Sequence, residues 1–178
     1  MTDLTLTLKA KTKSYFRKWD SLVGKSPFAE FQPVAIGWKA KDINQFNAIL
    51  TNLFKDNLLT QCHVGFVDKR YIAAAVFKNP LYRSICILKL MQRRPGSADP
   101  VGLDHVDFYA KDLAAVGKKL QKSNFGSVTN ESNESHNWVS LRFSGTEVKF
   151  VDHTVLDVGV KEMREATLKL GFKPQLIE

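Results

Sequence analysis

A chain of 178 residues, 44% hydrophobic and 25% charged, has the apolar content for one ordinary domain or for two small modules around a shared core. It has no apolar run near the ~18 residues that a membrane span requires, and its start alternates Leu and Thr before turning basic, so a cytoplasmic protein without membrane contact is expected. The formal net charge of +8 raises nucleic-acid binding. However, Lys9, Lys11, Lys13, Arg17 and Lys18, then Lys118, Lys119 and Lys122, then Lys161, Arg164 and Lys169 are scattered as solvated helix faces would scatter them, and no nucleic-acid motif accompanies them.

Along the chain, Tyr15, Phe16, Trp19, Leu22 and Val23 recur at helical spacing within Lys11 to Val23, predicting an amphipathic helix that closes near Gly24 in an N-terminal extension over residues 1–30. Gln32 to Ala40 then reads as a strand, with Pro33 tolerated at its beginning. Asp42 is placed as a helix N-cap with Gln45 three positions on, and Ile43, Phe46, Ile49, Leu50, Leu53 and Phe54 form the apolar face of a helix ending near Asn57. Strand patterns follow at Gln61 to Val67, Tyr71 to Lys78 and Ser84 to Met91, separated by Asp68-Lys69 and by an Asn79-Pro80 turn. These elements make a first unit over residues 31–91.

Residues 92–101, rich in Pro, Gly and Ser, read as a linker. A strand from Leu103 to Tyr109 leads to Asp112 as N-cap and to a helix through Leu113, Val116 and Leu120. A weaker strand at Gly126 to Thr129, a polar loop, and strands at Trp138 to Phe143 and Glu147 to Asp152 joined by Ser144-Gly145 complete a second unit over residues 102–155. Residues 156–178 read as a C-terminal helix and tail, with Val160, Met163, Thr167 and Leu170 facing inward. The whole is expected to be a single α+β domain over residues 1–178.

Ala35-Ile-Gly-Trp-Lys-Ala-Lys-Asp-Ile43 and His105-Val-Asp-Phe-Tyr-Ala-Lys-Asp-Leu113 match each other seventy residues apart, so the chain reads as a duplicated βαβββ unit. Two such units side by side are expected to form an open, cup-shaped mixed sheet with outer helices and a ligand site inside. The copies differ at one telling position, where the second has His105 and the first has Ala35.

The order of elements, with Lys69-Arg-Tyr-Ile-Ala-Ala-Ala-Val-Phe-Lys-Asn-Pro-Leu81, Ile85-Cys-Ile-Leu-Lys-Leu90, Gly102-Leu-Asp-His-Val-Asp-Phe108 and Thr146-Glu-Val-Lys-Phe150, resembles the vicinal oxygen chelate superfamily of glyoxalase-like and dioxygenase-like proteins. Within it the chain is most similar to the YecM family, described as metal-binding proteins of unsettled activity. The resemblance covers about residues 30 to 165. It implies metal ligands on the first and fourth strand of each unit, which fall here on Ala35, Lys89, His105 and Lys149. The YecM-like pattern has a histidine where this chain has Ala35 and a glutamate where it has Lys89, so two ligands are replaced. A methyl group cannot coordinate and an ammonium repels a cation, which leaves His105 as the single ligand type and no resident metal or other cofactor expected.

Strand alternation turns His105, Asp107 and Tyr109 into the cup, with Ile87, Lys89 and Met91, with Glu147, Lys149 and Val151, and with Ser140 and Arg142. A floor bearing His105, Lys89, Lys149, Asp107, Tyr109 and Arg142 is expected to bind a small anionic molecule. Alternatively these charges satisfy one another, with Lys89 or Lys149 on Asp107 and His105 bonded to Tyr109 or a backbone carbonyl. His63, His136 and His153 have no partner at the spacing of a preformed metal site. Cys62 and Cys86 lie in apolar strands and read as core thiols. Whether the protein is an enzyme stays open at this level. A metal-free binding module, a metal-dependent lyase or dioxygenase-like enzyme with altered ligands, and a basic interaction or nucleic-acid-associated module all remain, as monomer or homodimer.

Overall fold

A computed structural model describes residues 32–81, 85–123, 126–132, 137–143, 146–152 and 158–178. The chain divides between Gln32 and Pro33, and the unit from Pro33 onward carries the elements that follow. The expected N-terminal helix, the Ser144-Gly145 turn, His136 and His153 lie outside the described residues.

The first repeat is β1 (Gln32–Ala40), α1 (Ile43–Lys55), β2 (Leu59–Val67), β3 (Arg70–Leu81) and β4 (Ile85–Gln92). The second is β5 (Gly102–Tyr109), α2 (Leu113–Ser123), β6 (Ser127–Ser132), β7 (Asn137–Phe143) and β8 (Thr146–Val151). Helix α3 (Val160–Lys169) and the short strand β9 (Gln175–Ile177) follow. All the strands among the described residues join one nine-stranded sheet in the order β6-β7-β8-β5-β1-β4-β3-β2-β9. Each repeat therefore contributes four neighbouring strands of like topology, and β1 and β5 meet in the middle.

The duplication extends to register. In the parallel pair of the first repeat, Ala35 lies opposite Ile87 and Gly37 opposite Lys89. In the second repeat His105 lies opposite Glu147 and Asp107 opposite Lys149. Ala35 thus corresponds to His105, Gly37 to Asp107 and Lys89 to Lys149. The helix starts correspond as well, since the carboxylates of Asp42 and Asp112 each accept from the backbone N–H three residues on, at 2.9 Å. Gln45 reaches back to the N–H of Lys41, one residue short of the capping-box partner.

Helix α1 buries Phe46 and Leu50, and α2 buries Val116 and Leu120 at the equivalent turns. Phe46 and Leu50 pack with Ala40, Leu59, Cys62, Ala73, Ala75, Leu88 and Leu90. Val139 lies beneath α2, and Gly117 of that helix comes close to it. Helices α1 and α2 therefore share one side of the sheet, and alternation turns Ala35, Gly37, Lys89, Ser140 and Lys149 to the other, inner face. Burial pushes the Cys62 thiol up to about 12, so it stays a neutral thiol in the core, and no disulfide links it to Cys86.

Helix α3 lies on the inner face of the first repeat. Val160 packs in a buried cluster with Ala35, Ala74 and Ile87. Thr167 accepts from the N–H of Phe66 at 2.9 Å, and its hydroxyl reaches the carbonyl of Met163 at 2.6 Å. Val160, Met163 and Thr167 are buried as the spacing predicts, whereas Leu170 is exposed, because the helix ends at Lys169. Strand β9, not anticipated from sequence, pairs antiparallel with β2 at the edge of the sheet. The expected turn at Asn79-Pro80 is instead part of β3, where the pairing with β4 breaks register between Val76 and Leu81. Proline cannot donate to a ladder, so the irregularity falls where it does least harm.

Gly65 fixes how closely α3 approaches, since a Cβ there would come within 2.5 Å of Thr167 Oγ1 and 2.6 Å of Met163 Cγ. Gly65→Ala is expected to cost about 1–3 kcal/mol by overpacking. Denaturant unfolding measures this, and an unchanged midpoint would mean that α3 is not seated on Gly65.

Candidate functional site

On the second repeat the pairing of β5, β8 and β7 sets nine inner-face residues in three rows. Tyr109, Val151 and Trp138 form one row, Asp107, Lys149 and Ser140 the next, and His105, Glu147 and Arg142 the third. Five of the six residues expected from sequence lie in these rows. Lys89, the sixth, enters from β4 across the seam.

The structure sorts the charges into two groups. Lys89 Nζ is ion-paired with Asp107 Oδ2, and Asp107 is fully buried. His105 Nε2 stands 3.5 Å from Asp107 Oδ1. Neither carboxylate oxygen of Asp107, nor His105 Nε2, has a hydrogen bond of good geometry, so the attraction between Lys89 and Asp107 is what holds this group together. In the second group Ser140 donates to Glu147 Oε1 at 2.7 Å and Arg142 reaches the same oxygen at 3.4 Å. Lys149 Nζ stands 3.6 Å from Glu147 Oε2 and 5.8 Å from the centre of the Trp138 ring. Asp107 is therefore partnered by Lys89, and Lys149 by Glu147.

His105 is bonded neither to Tyr109 nor to a carbonyl, the partners expected from sequence. Its Nδ1 lies 2.7 Å from Asp104 Oδ2, and Asp104 Oδ1 in turn lies 2.8 Å from Lys39 Nζ. Lys39 also reaches Asp99 in the linker, at 3.3 Å. The hydrogen bond from His105, opposed by burial and aided by Lys39, holds the Asp104 carboxyl well below the usual carboxylate range. Since Asp104 is ionised, the proton of the shared bond is assigned to Nδ1, which leaves Nε2 facing Asp107. Burial pushes Glu147 up, but the Ser140 hydroxyl with Lys149, Arg142 and His105 outweighs it and leaves Glu147 below its ordinary value.

Tyr109 is half-exposed at the end of β5. Asp104, Lys39 and Trp138 were not singled out from sequence. Simple alternation sends Asp104 away from His105, and only the fold brings Lys39 of β1 beside it. Trp138 was legible, since it shares parity with Ser140 and Arg142.

The four positions at which the resemblance places metal ligands do not fit a metal. Ala35 is buried against Val160, Lys89 is committed to Asp107, and Lys149 is a second ammonium. Among the described residues no three His, Cys, Asp or Glu side chains gather as a metal ion would require.

The two equivalent lysines are expected to behave differently. Lys89→Met leaves Asp107 buried without its cation and should cost about 3 kcal/mol or more. Lys149→Met removes a long, partly solvated contact and should change stability by less than about 1 kcal/mol. Equal losses in paired melts would contradict the sorting of charges. Asp104 provides a pH test with a definite sign. Its folded pKa is depressed, so its contribution is complete above the unfolded value of about 3.9 and is lost as pH falls toward the folded one. Asp104→Asn should lose about 1–2 kcal/mol at pH 7, and the gap to wild type should narrow steadily below about pH 4. A gap that is the same at pH 7 and pH 3 would show that the carboxylate is not held ionised by the fold.

No family model matches the sequence, and no curated protein matches it. Solved structures do. A structural-genomics structure of Protein EC4020 matches with a TM-score of 0.59 at 11% identity, covering 90% of this chain and 93% of that one. A protein of Bacillus halodurans C-125, BH1468, matches with a TM-score of 0.49 at 12% identity over 70% of this chain and 96% of its own. A methylmalonyl-CoA epimerase of Streptomyces coelicolor matches with a TM-score of 0.46 at 14% identity over 67% of this chain and 94% of its own. At such identities likeness speaks to fold alone, and the first of these matches carries it. The fold is the open α+β sheet of paired βαβββ units that a resemblance to the vicinal oxygen chelate superfamily implies.

Proposed function

We propose that the chain is a YecM-like member of the vicinal oxygen chelate superfamily that binds a small anionic molecule, without a metal, on the inner face of its second repeat. The observation that carries this reading is the difference between the two repeats on that face. In the first, Ala35, Ala74 and Ile87 are apolar and lie under α3. In the second, the corresponding positions are His105, Ser140 and Glu147, beside Lys149. An ammonium has three donors, and Lys149 has one long carboxylate contact and a ring face, so it can accept an incoming anion at little cost. Arg142, mostly exposed, can add a second cation at the rim. Lys89, His105 and Asp107 hold the floor in place behind them. The family assignment is supported by the quoted sequence motifs and by the likeness of fold.

Thermal melts of wild type and Lys149→Met with a panel of small carboxylates and phosphate test the reading. Wild type should be stabilised by at least one anion, and the variant's affinity for it should fall by about 1.5–3 kcal/mol, the worth of a charge-assisted hydrogen bond. Zinc, nickel or manganese should add no more than a few tenths of a kcal/mol, since a ligand stabilises only a state that binds it. A wild type indifferent to every anion, or one whose melting temperature falls with a chelator, would overturn the proposal.

A further inference from the structure

We infer that the free edge of β9, with the apolar side chains around it, is a pairing surface for a second copy of this chain. The inference is independent of the anion-binding reading. Twelve large hydrophobic side chains are exposed among the described residues, and five of them, Leu168, Leu170, Phe172, Leu176 and Ile177, fall within ten residues of sequence. Strand β9 pairs with β2 on one side only, so its other side presents unpaired backbone groups at the border of the sheet. Sheet edges are ordinarily blunted by charged or proline residues within the strand, and Gln175-Leu-Ile177 has neither. The opposite edge is protected in this way. There β6 is polar apart from Val128, and Thr129 donates to Glu131 along it at 2.7 Å. Beside β9, Phe172 rests on Phe66 with 5.0 Å between ring centres, and Phe66 on Tyr71 at the same separation, so this half-exposed ring is already fixed in place.

The geometry of the edge selects a second copy. Ile177 lies opposite Cys62 on the face that carries α1, and Leu176 lies opposite His63 on the face that carries α3. A two-fold axis normal to the sheet and through Leu176 keeps each face of one copy continuous with the same face of the other. It sets Leu176 against itself and Gln175 of each copy against Ile177 of the other, the self-complementary contact that a symmetric dimer requires. The flanking charges favour the same antiparallel arrangement. Lys173 precedes the strand and Glu178 follows it, so both ends of the joined ladder bring Lys173 of one copy beside Glu178 of the other, whereas parallel pairing would set like against like. The size of the patch is adequate. Five side chains about half exposed offer on the order of 400 Å² per copy, which with the paired strands approaches the roughly 1,000 Å² in total that a specific interface buries.

Light scattering over a range of concentrations tests the inference on wild type, on Leu176→Lys and, after mild oxidation, on Leu176→Cys. Wild type should form a dimer whose share rises with concentration. Leu176→Lys sets two ammonium groups against each other at the axis and should weaken the dimer by about tenfold or more, while the melting temperature of the dilute monomer stays the same. Leu176→Cys should oxidise to a covalent dimer, because residues across a strand pair lie about 4.5–5.5 Å apart at Cα, within the reach of a disulfide. Thr129→Cys on the β6 edge, and wild type with its own Cys62 and Cys86, should not. A wild type that is monomeric at every concentration would overturn the proposal and leave the edge to a different partner. A dimer that Leu176→Lys leaves intact would overturn it as well, and faster cross-linking through Thr129→Cys would move the contact to the opposite edge.

Discussion

Everything on the inner face depends on the seam where β1 meets β5. His105 lies so close to Gly37 that a single added Cβ would sit 2.3 Å from its ring. The imidazole is then fixed through Asp104 to Lys39, a residue of β1. One strand supplies the space and the anchoring cation, and the other supplies the ring and the carboxylates. Neither repeat could build this arrangement alone, so the seam makes two similar units into one sheet with a single polar centre.

The same seam explains why the repeats diverge. Where the second carries His105 and Asp107, the first carries Ala35 and Gly37, and small residues on one side are the condition for large polar ones on the other. Having lost its bulk, the first repeat leaves a shallow apolar floor, and α3 covers it with Val160 and Met163. The pair of equivalent lysines follows the same division. Lys89 neutralises the carboxylate buried at the seam, while Lys149, further from it, keeps only long contacts.

Much of the fold could be read before the structure, because duplication repeats its signals. Asp42 and Asp112 announce two helix starts, and the bounds of β1 are those of its sequence pattern. Strand β9 was illegible because three exposed residues have no period to show, and its pairing depends on where β2 ends the sheet. At the site, alternation correctly gathered His105, Asp107, Lys149 and Arg142 on one face, since parity is local. It could not say which lysine takes Asp107, nor that Asp104 would turn to His105, because those choices depend on packing across strands far apart in sequence. The proline in β3 misled for a related reason: a dipeptide that favours turns was overridden by the edge of a ladder that had already broken register.

The position of α3 also has a consequence for how the chain is made. Thr167 closes its bond to the N–H of Phe66 across 101 residues of sequence. Contacts of such separation form late, after the entropy of closing a long loop has been overcome. At synthesis rates of about 5–20 residues per second, the inner face of the first repeat emerges on the order of ten seconds before the helix that covers it. During that interval Ala35, Ala74 and Ile87 form an uncovered apolar floor on a nascent sheet, and the outer edge of β2 has no β9 to pair with. The helix that seals the first repeat thus leaves the ribosome well after the floor it covers.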